Sequence, residues 1–159
     1  MKSIYYKQEN GSLAITAFLN EEVAEETIKS FKENNIPFGE ITESTKIDDF
    51  FFDAYTISNN AEIEVDFTKA KEIQKNKWRY LRTEILSKLD IEFMRAIETG
   101  DTSKQDLIKS QKQALRDVTS IELQDSLEEI KNTIPDILDI NKYQPIYSTN
   151  LDENGIEIK

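Results

Sequence analysis

The chain has 159 residues, 38% of them hydrophobic and 32% charged, with a net charge of −11. So lean an apolar share suits an elongated helical body better than a thick core. There is no histidine and no cysteine, and only four glycines. That excludes Ser-His-Asp and Cys-His catalysis, thiol redox chemistry, the ordinary zinc sites, the Walker loop and the G-x-G-x-x-G fingerprint.

The opening MKSIYYKQEN lacks the apolar stretch of a secretion signal, and no segment approaches the length of a membrane span. The absence of cysteine fits a reducing compartment. Residues 3–8 and 12–18 read as a β-hairpin around Asn10-Gly11, a pair that favours the type I′ turn. That turn sets Tyr6 opposite Ile15, Ile4 opposite Ala17 and Gln8 opposite Leu13. A helix follows, with Asn20 as cap, Glu21 and Glu22 in its first turn, and an apolar stripe of Val23, Ala24, Thr27, Ile28 and Phe31. Asn34, Asn35 and Pro37 stop it, and residues 38–42 read as extended. A second hairpin is expected over 54–58 and 62–66, around Asn59-Asn60, because Ile63, Val65 and Phe67 alternate with Glu62, Glu64 and Asp66.

From residue 67 to 98 the pattern turns helical. Ala70, Ile73, Trp78, Leu81, Ile85, Leu89, Phe93 and Ala96 recur at three to five residues, with neither glycine nor proline between them. Asp66 can cap the start, and Gly100 fits a left-handed position at the end. Thr102 and Gln105 have capping-box spacing. A second helix is expected over 103–132, with Leu107, Ala114, Leu115, Val118, Ile121, Leu127 and Ile130 on its inner side, until Pro135 ends it. So short a connection makes the two helices antiparallel neighbours. The predicted fold is α+β: a small hairpin and helix unit over 1–66, a long antiparallel helical hairpin over 67–134, and an extended tail over 135–159.

Charge is uneven along the chain. Residues 20–66 hold three basic and thirteen acidic side chains, whereas residues 67–118 hold twelve basic and eight acidic. Attraction between these segments, within one chain or between copies, is therefore expected. The overall acidity argues against a nonspecific duplex binder.

Two constellations could carry binding. Phe50, Phe51 and Phe52 with Tyr55 form the densest aromatic cluster, which reads either as a partner anchor or as cover for the helical hairpin. Lys71, Lys75, Arg79 and Arg82 fall on one helical face beside Trp78. They suit an acidic partner or nucleic acid, but a match to the acidic segment of the same chain, or a solvated face, is the expected reading, since surface charge pairs are common and individually weak. Arg116 reads as a structural clamp toward Asp90 or Glu84. Asp48, Asp49 and Asp53 offer oxygen ligands for a hard cation but lack the spacing of an EF-hand loop. No catalytic residue, cofactor site or metal site is assigned.

Residues 47–119 resemble small proteins encoded near the tail genes of tailed phages, described as tail assembly chaperone-like or as uncharacterised tail proteins. The likeness is carried by IDDFFFDAY, IEVDFTKAKEI, RYLRTEILSKLDIEFMRAIETGD and QKQALRDVT. Within these runs the pattern residues are Val65-Asp66, Lys69-Ala70-Lys71, Leu89-Asp90, Phe93, Ala96, Glu98, Gly100-Asp101 and Leu115-Arg116-Asp117. Where relatives carry Pro-Asp-Arg and a Trp before the helix, this chain has Ile47-Asp48-Asp49 and Tyr55. The resemblance implies a non-enzymatic role in tail morphogenesis, through contacts with phage tail or other virion proteins or with further copies of the chain. An assembly chaperone in the host cytoplasm stands first, and a permanent component of the virion tail second. A carboxylate-dependent hydrolase and a nucleic-acid-associated factor are the readings from other classes.

Overall fold

A computed structural model describes residues 2–143. The chain is α+β and divides into two compact units. The first unit holds the described residues up to Ile73 with Asp125–Ile130, and the second holds Gln74–Gln124 with the described residues from Lys131 onward.

In the first unit β1 (Lys2–Lys7) pairs antiparallel with β2 (Leu13–Phe18) on one side and with β3 (Phe38–Glu40) on the other, giving the order β2-β1-β3. Helix α1 (Glu21–Glu33) starts at Asn20, whose side chain accepts from the Glu22 N–H at 2.8 Å. It ends in a Schellman motif: the Ile36 N–H reaches the Phe31 carbonyl and Asn35 takes a φ of +53°. Ile4, Phe18 and Ala24 bury one another between sheet and helix, with Ile28 and Phe31 packed on them. The Phe31 ring lies 4.8 Å from Tyr6 and 5.9 Å from Phe38.

The β1–β2 register differs by one residue from the sequence expectation. Tyr5 lies opposite Ile15, Ile4 opposite Thr16 and Tyr6 opposite Ala14. The loop has three residues, not two: the Gly11 N–H donates to the Gln8 carbonyl and the Gln8 N–H to the Ser12 carbonyl, both at 2.9 Å. Gly11, at φ +84°, supplies the left-handed residue of a G1 bulge. Because side chains alternate, this slip turns the other set of β2 residues toward α1. Phe18 thereby joins Ile4 in the core.

The second hairpin, β4 (Tyr55–Ile57) and β5 (Ile63–Val65), repeats this loop. The Ser58 N–H donates to the Glu62 carbonyl, the Ala61 N–H donates to the Ser58 carbonyl, and Ala61 takes φ +62°. The first hairpin is tied to it by the Tyr5 hydroxyl, which donates to the Ala61 carbonyl at 3.1 Å. To make this bond the Tyr5 ring crosses Gly39, its neighbour on β3. A Cβ at Gly39 would lie 2.3 Å from the Tyr5 oxygen, so only glycine leaves the path open.

Helix α2 (Phe67–Glu98) begins in the first unit, where the Asp66 carboxylate accepts from the Lys69 N–H at 3.1 Å. It closes with Gly100 at φ +70°, the Asp101 N–H bonding the Ala96 carbonyl and the Gly100 N–H the Ile97 carbonyl. Helix α3 (Thr102–Asp117) is capped by Asp101, not by Thr102: its side chain accepts from the Lys104 N–H at 2.9 Å. In the second unit α3 runs antiparallel to α2. Lys104 meets Glu92, Lys112 meets Asp90, and Arg82 donates to the Arg116 carbonyl. Trp78, Ile85, Leu89, Ile108 and Leu115 are among the buried side chains of these helices.

The second helix stops at Asp117, well short of residue 132. Val118–Ser120 forms a 3-10 turn, and the Ser120 hydroxyl donates to the Asp117 carbonyl at 2.6 Å. β-Branched Val118, Thr119 and Ile121 and a serine that bonds locally make a poor helix interior. A short helix α4 (Leu127–Asn132) follows, with Ser126 at its cap and Glu129 three residues on. Of the expected inner stripe, Leu107 is 59% exposed and Ala114 is also exposed, while Ile108 takes the buried place. The expected tail is not extended at its start: Asp136–Leu138 and Ile140–Tyr143 are 3-10 turns, and Leu138 is buried. Residues 144–159 lie outside the described residues.

Candidate interaction surfaces

The aromatic segment is a 3-10 helix, Asp49–Ala54, and not an extended run. Asp48 starts it by accepting from the Phe50 N–H at 2.9 Å, and the Tyr55 hydroxyl accepts from the Asp48 N–H at 3.0 Å. A helical turn points the three phenylalanines in different directions. Phe51 and Tyr55 are buried, while Phe50 and Phe52 are half-buried. Phe50 stands edge-on to Phe51, with centroids 4.7 Å apart. Phe52 lines an open groove of about 600 Å³ beside β2, together with Asp53 and Lys69. Among the described residues no group of three or more acidic side chains could hold a metal ion. Asp48, Asp49 and Asp53 thus form no such site.

The basic stripe on α2 is used piecemeal. In the first unit Lys71 pairs with Asp125 at 2.5 Å. In the second, Arg79 donates to the Asn76 side chain at 2.6 Å, and Arg82 donates to the Arg116 carbonyl at 3.2 Å. Arg82 thus brings a cation to the C-terminal end of α3, where the helix dipole favours one. Lys75 is half-buried. Trp78 is fully buried, and its indole N–H has no hydrogen-bond partner among the described residues. Arg116 does not take the partners expected of it: Asp90 meets Lys112, and Glu84 meets Lys88.

Gln74 was not foreseen. It is fully buried, and its amide donates to the carbonyls of Lys131 and Thr133, at 3.3 and 2.9 Å. Its position, one turn before Trp78 on the buried face of α2, is the signal that could have marked it.

A charge cluster joins α2 to α3. Glu92 accepts from Lys104 and from Arg95, each at 2.7 Å. The hydrogen bond from Lys104, and after it that from Arg95, holds the Glu92 carboxyl below its ordinary range against the opposing effect of burial.

Helix α2 also carries apolar residues on the face turned away from its buried one. Tyr80 is 77% exposed, Ile91 55% and Met94 56%. At 100° per residue these three fall within about 60° of one another and opposite Ile85 and Leu89. Ile91 and Met94 are neighbours one turn apart, whereas Tyr80 stands about 16 Å away along the helix axis, so the contiguous exposed apolar pair on this face is Ile91 with Met94. No helix among the described residues is long and apolar enough to cross a membrane. Compared with protein-family models, with curated proteins and with solved structures, the chain matches none.

Proposed function

We propose that this chain is a non-enzymatic phage tail-morphogenesis protein that works by protein–protein contact, as an assembly chaperone in the host cytoplasm. The observation that carries the reading is the outward face of α2, where Tyr80, Ile91 and Met94 offer apolar surface to solvent. A chaperone needs such a surface to cover an unassembled subunit. The resemblance of residues 47–119 to tail-associated phage proteins supplies the class of partner. The half-exposed rings of Phe50 and Phe52 are a second apolar offering.

The test is to recover the tagged chain from infected cells and to examine purified particles by mass spectrometry. An identified tail protein bound in the extract, with the chain absent from particles, is the expected outcome. Replacing both Ile91 and Met94 by Asp should weaken that recovery at least about tenfold, as truncation of interface anchors does, with helical circular dichroism unchanged. Fixed copy number in particles would instead make the chain a virion component. Undiminished recovery would remove the α2 face from the contact.

A further inference from the structure

Within the second unit the outward face of α2 runs from Asn76 to Glu98, about 33 Å at 1.5 Å per residue. Ser87 stands at its middle, and the side chains before and after it are spaced alike. Thr83 and Ile91 lie four residues to either side, and Tyr80 and Met94 seven. All five are exposed, and at 100° per residue they fall within about 80° of one another. Large apolar groups thus occupy both arms of the face, with small Thr83 and Ser87 between them. The hydroxyls of those two turn to their own helix: Thr83 donates to the Arg79 carbonyl at 2.8 Å, and Ser87 to the Thr83 carbonyl at 3.0 Å. Both can therefore be covered without losing a hydrogen bond.

We infer that this face of α2 packs against the same face of a second copy of this chain, antiparallel, about a twofold axis at Ser87. The axis brings Tyr80 level with the partner's Met94, and Thr83 level with the partner's Ile91. Each end of the contact then gathers one tyrosine ring, one isoleucine and one methionine, whose sulfur is a favourable neighbour for a ring. The small side chains at the centre let the two helices approach closely. In one copy Tyr80 is cut off from the Ile91 and Met94 pair, 77% exposed and without an apolar neighbour on its face; in the pair, that same separation puts it against the partner's two. The inference does not rest on the tail-assembly reading: a second copy covers the face while no client is bound, and the two compete for it.

Charge agrees with the register. A twofold axis lying in the interface keeps each flank of α2 beside the same flank of the partner. Glu84 and Lys88 share one flank, and the axis sets Glu84 within two residues, about 3 Å of helix, of the partner's Lys88. Within one copy the two stand 3.8 Å apart and the Glu84 side chain is 57% exposed, so its carboxylate has room for both lysines. Glu98 falls beside the partner's Lys77, while Arg95 on that flank is already held by Glu92. On the other flank Asp90 keeps its own Lys112. The ends fit as well: the partner's Gln74 comes level with Gly100, where α2 has closed. A different protein would meet this face without the mirrored spacing about Ser87.

Sedimentation equilibrium of the purified full chain, with no other protein present, tests the inference. The unmodified chain is expected at twice its monomer mass at micromolar concentration. Ser87→Arg changes a residue that is exposed in one copy and sets two arginines against each other on the axis. It should raise the dimer dissociation constant at least about 100-fold, with helical circular dichroism unchanged. Ser87→Cys places the only thiol of the chain on the axis, and mild oxidation should give a disulfide-linked dimer. Tyr80→Cys should link to Met94→Cys when the two variants are mixed, and not to itself, because the axis holds its two copies about 21 Å apart. A monomeric unmodified chain overturns the inference and leaves the tail-assembly reading standing; a dimer that recovers no tail protein from infected cells does the reverse. A folded Ser87→Arg chain that dimerises as before also overturns it. If Ser87→Arg fails to fold, the cysteine variants decide, and absence of the Ser87→Cys link overturns it.

Discussion

Gly11 and Ala61 occupy the same place in two hairpin loops of one design, yet only one of them is glycine. A left-handed backbone costs an L-residue roughly 1–2 kcal/mol, part of which glycine gives back through its freer unfolded chain. Ala61→Gly should therefore stabilise the protein by about 0.5–1 kcal/mol in urea melts. The bond from Tyr5 is unaffected, since it ends on the Ala61 backbone. A loss of stability would show that the loop does not hold positive φ in solution. Glu92 supports a prediction on pH. Its carboxyl is held low in the folded chain, first by Lys104 and then by Arg95. A depressed acid stabilises above its unfolded pKa, and that contribution is lost as pH falls through the folded one. The loss should thus begin near the ordinary glutamate value of about 4.3 and grow below it. Glu92→Gln should lower stability at neutral pH by about 1 kcal/mol, discounted for the partial exposure of the cluster. It should also flatten the fall toward pH ~3. Urea melts across that range check both, and an unchanged acid slope would remove Glu92 from the link.

At the scale of the element, the ends and lengths of α1 and α2 were legible and those of α3 were not. Asn20, Asp66 and Gly100 occupy the positions their chemistry predicts, because capping is settled within a few residues. The bend between α2 and α3 depends on Gly100, where an added Cβ would meet nothing within 4 Å. Its replacement is therefore penalised by backbone strain alone. Gly100→Val should cost about 1–2 kcal/mol, visible as a lower melting temperature, and coincident melts would mean that the bend tolerates a different turn. The early stop of α3 was harder to foresee. Val118 and Ile121 keep the apolar spacing of a helix while weakening its backbone, so periodicity and propensity disagree there. The Ser126 and Glu129 pair, which restarts the chain as α4, was a readable signal of that break. Periodicity on α2 found its buried face, through Ala70, Trp78, Ile85, Leu89 and Ala96. It said nothing of Tyr80, Ile91 and Met94 on the far side, since scattered apolar residues gain meaning only when the buried face is known.

For the whole molecule, local chemistry determined the class and the order of elements. Alternation made strands, the recurrence of three to four made helices, and turn residues separated them, so the α+β content follows from the chain itself. The missing histidine and cysteine bounded the chemistry in the same direct way. What a side chain faces is a different matter. The Lys71 and Arg82 stripe reads as one basic surface in sequence, yet Lys71 ends on Asp125 and Arg82 on the Arg116 carbonyl, partners 54 and 34 positions away. The aromatic run reads as one patch, yet a 3-10 turn buries Phe51 and leaves Phe52 at a groove. The first hairpin's register could not be taken from its turn residues alone, because Asn-Gly serves both a two-residue loop and a G1 bulge. The need to set Phe18 beside Ile4 against Ala24 of α1 selected the bulge. Elements and their ends thus followed from interactions among near neighbours, which the sequence displays. Register, burial and the partners of each charge awaited the tertiary structure, because each is a choice among residues far apart in the chain, made by the packing of all of them at once.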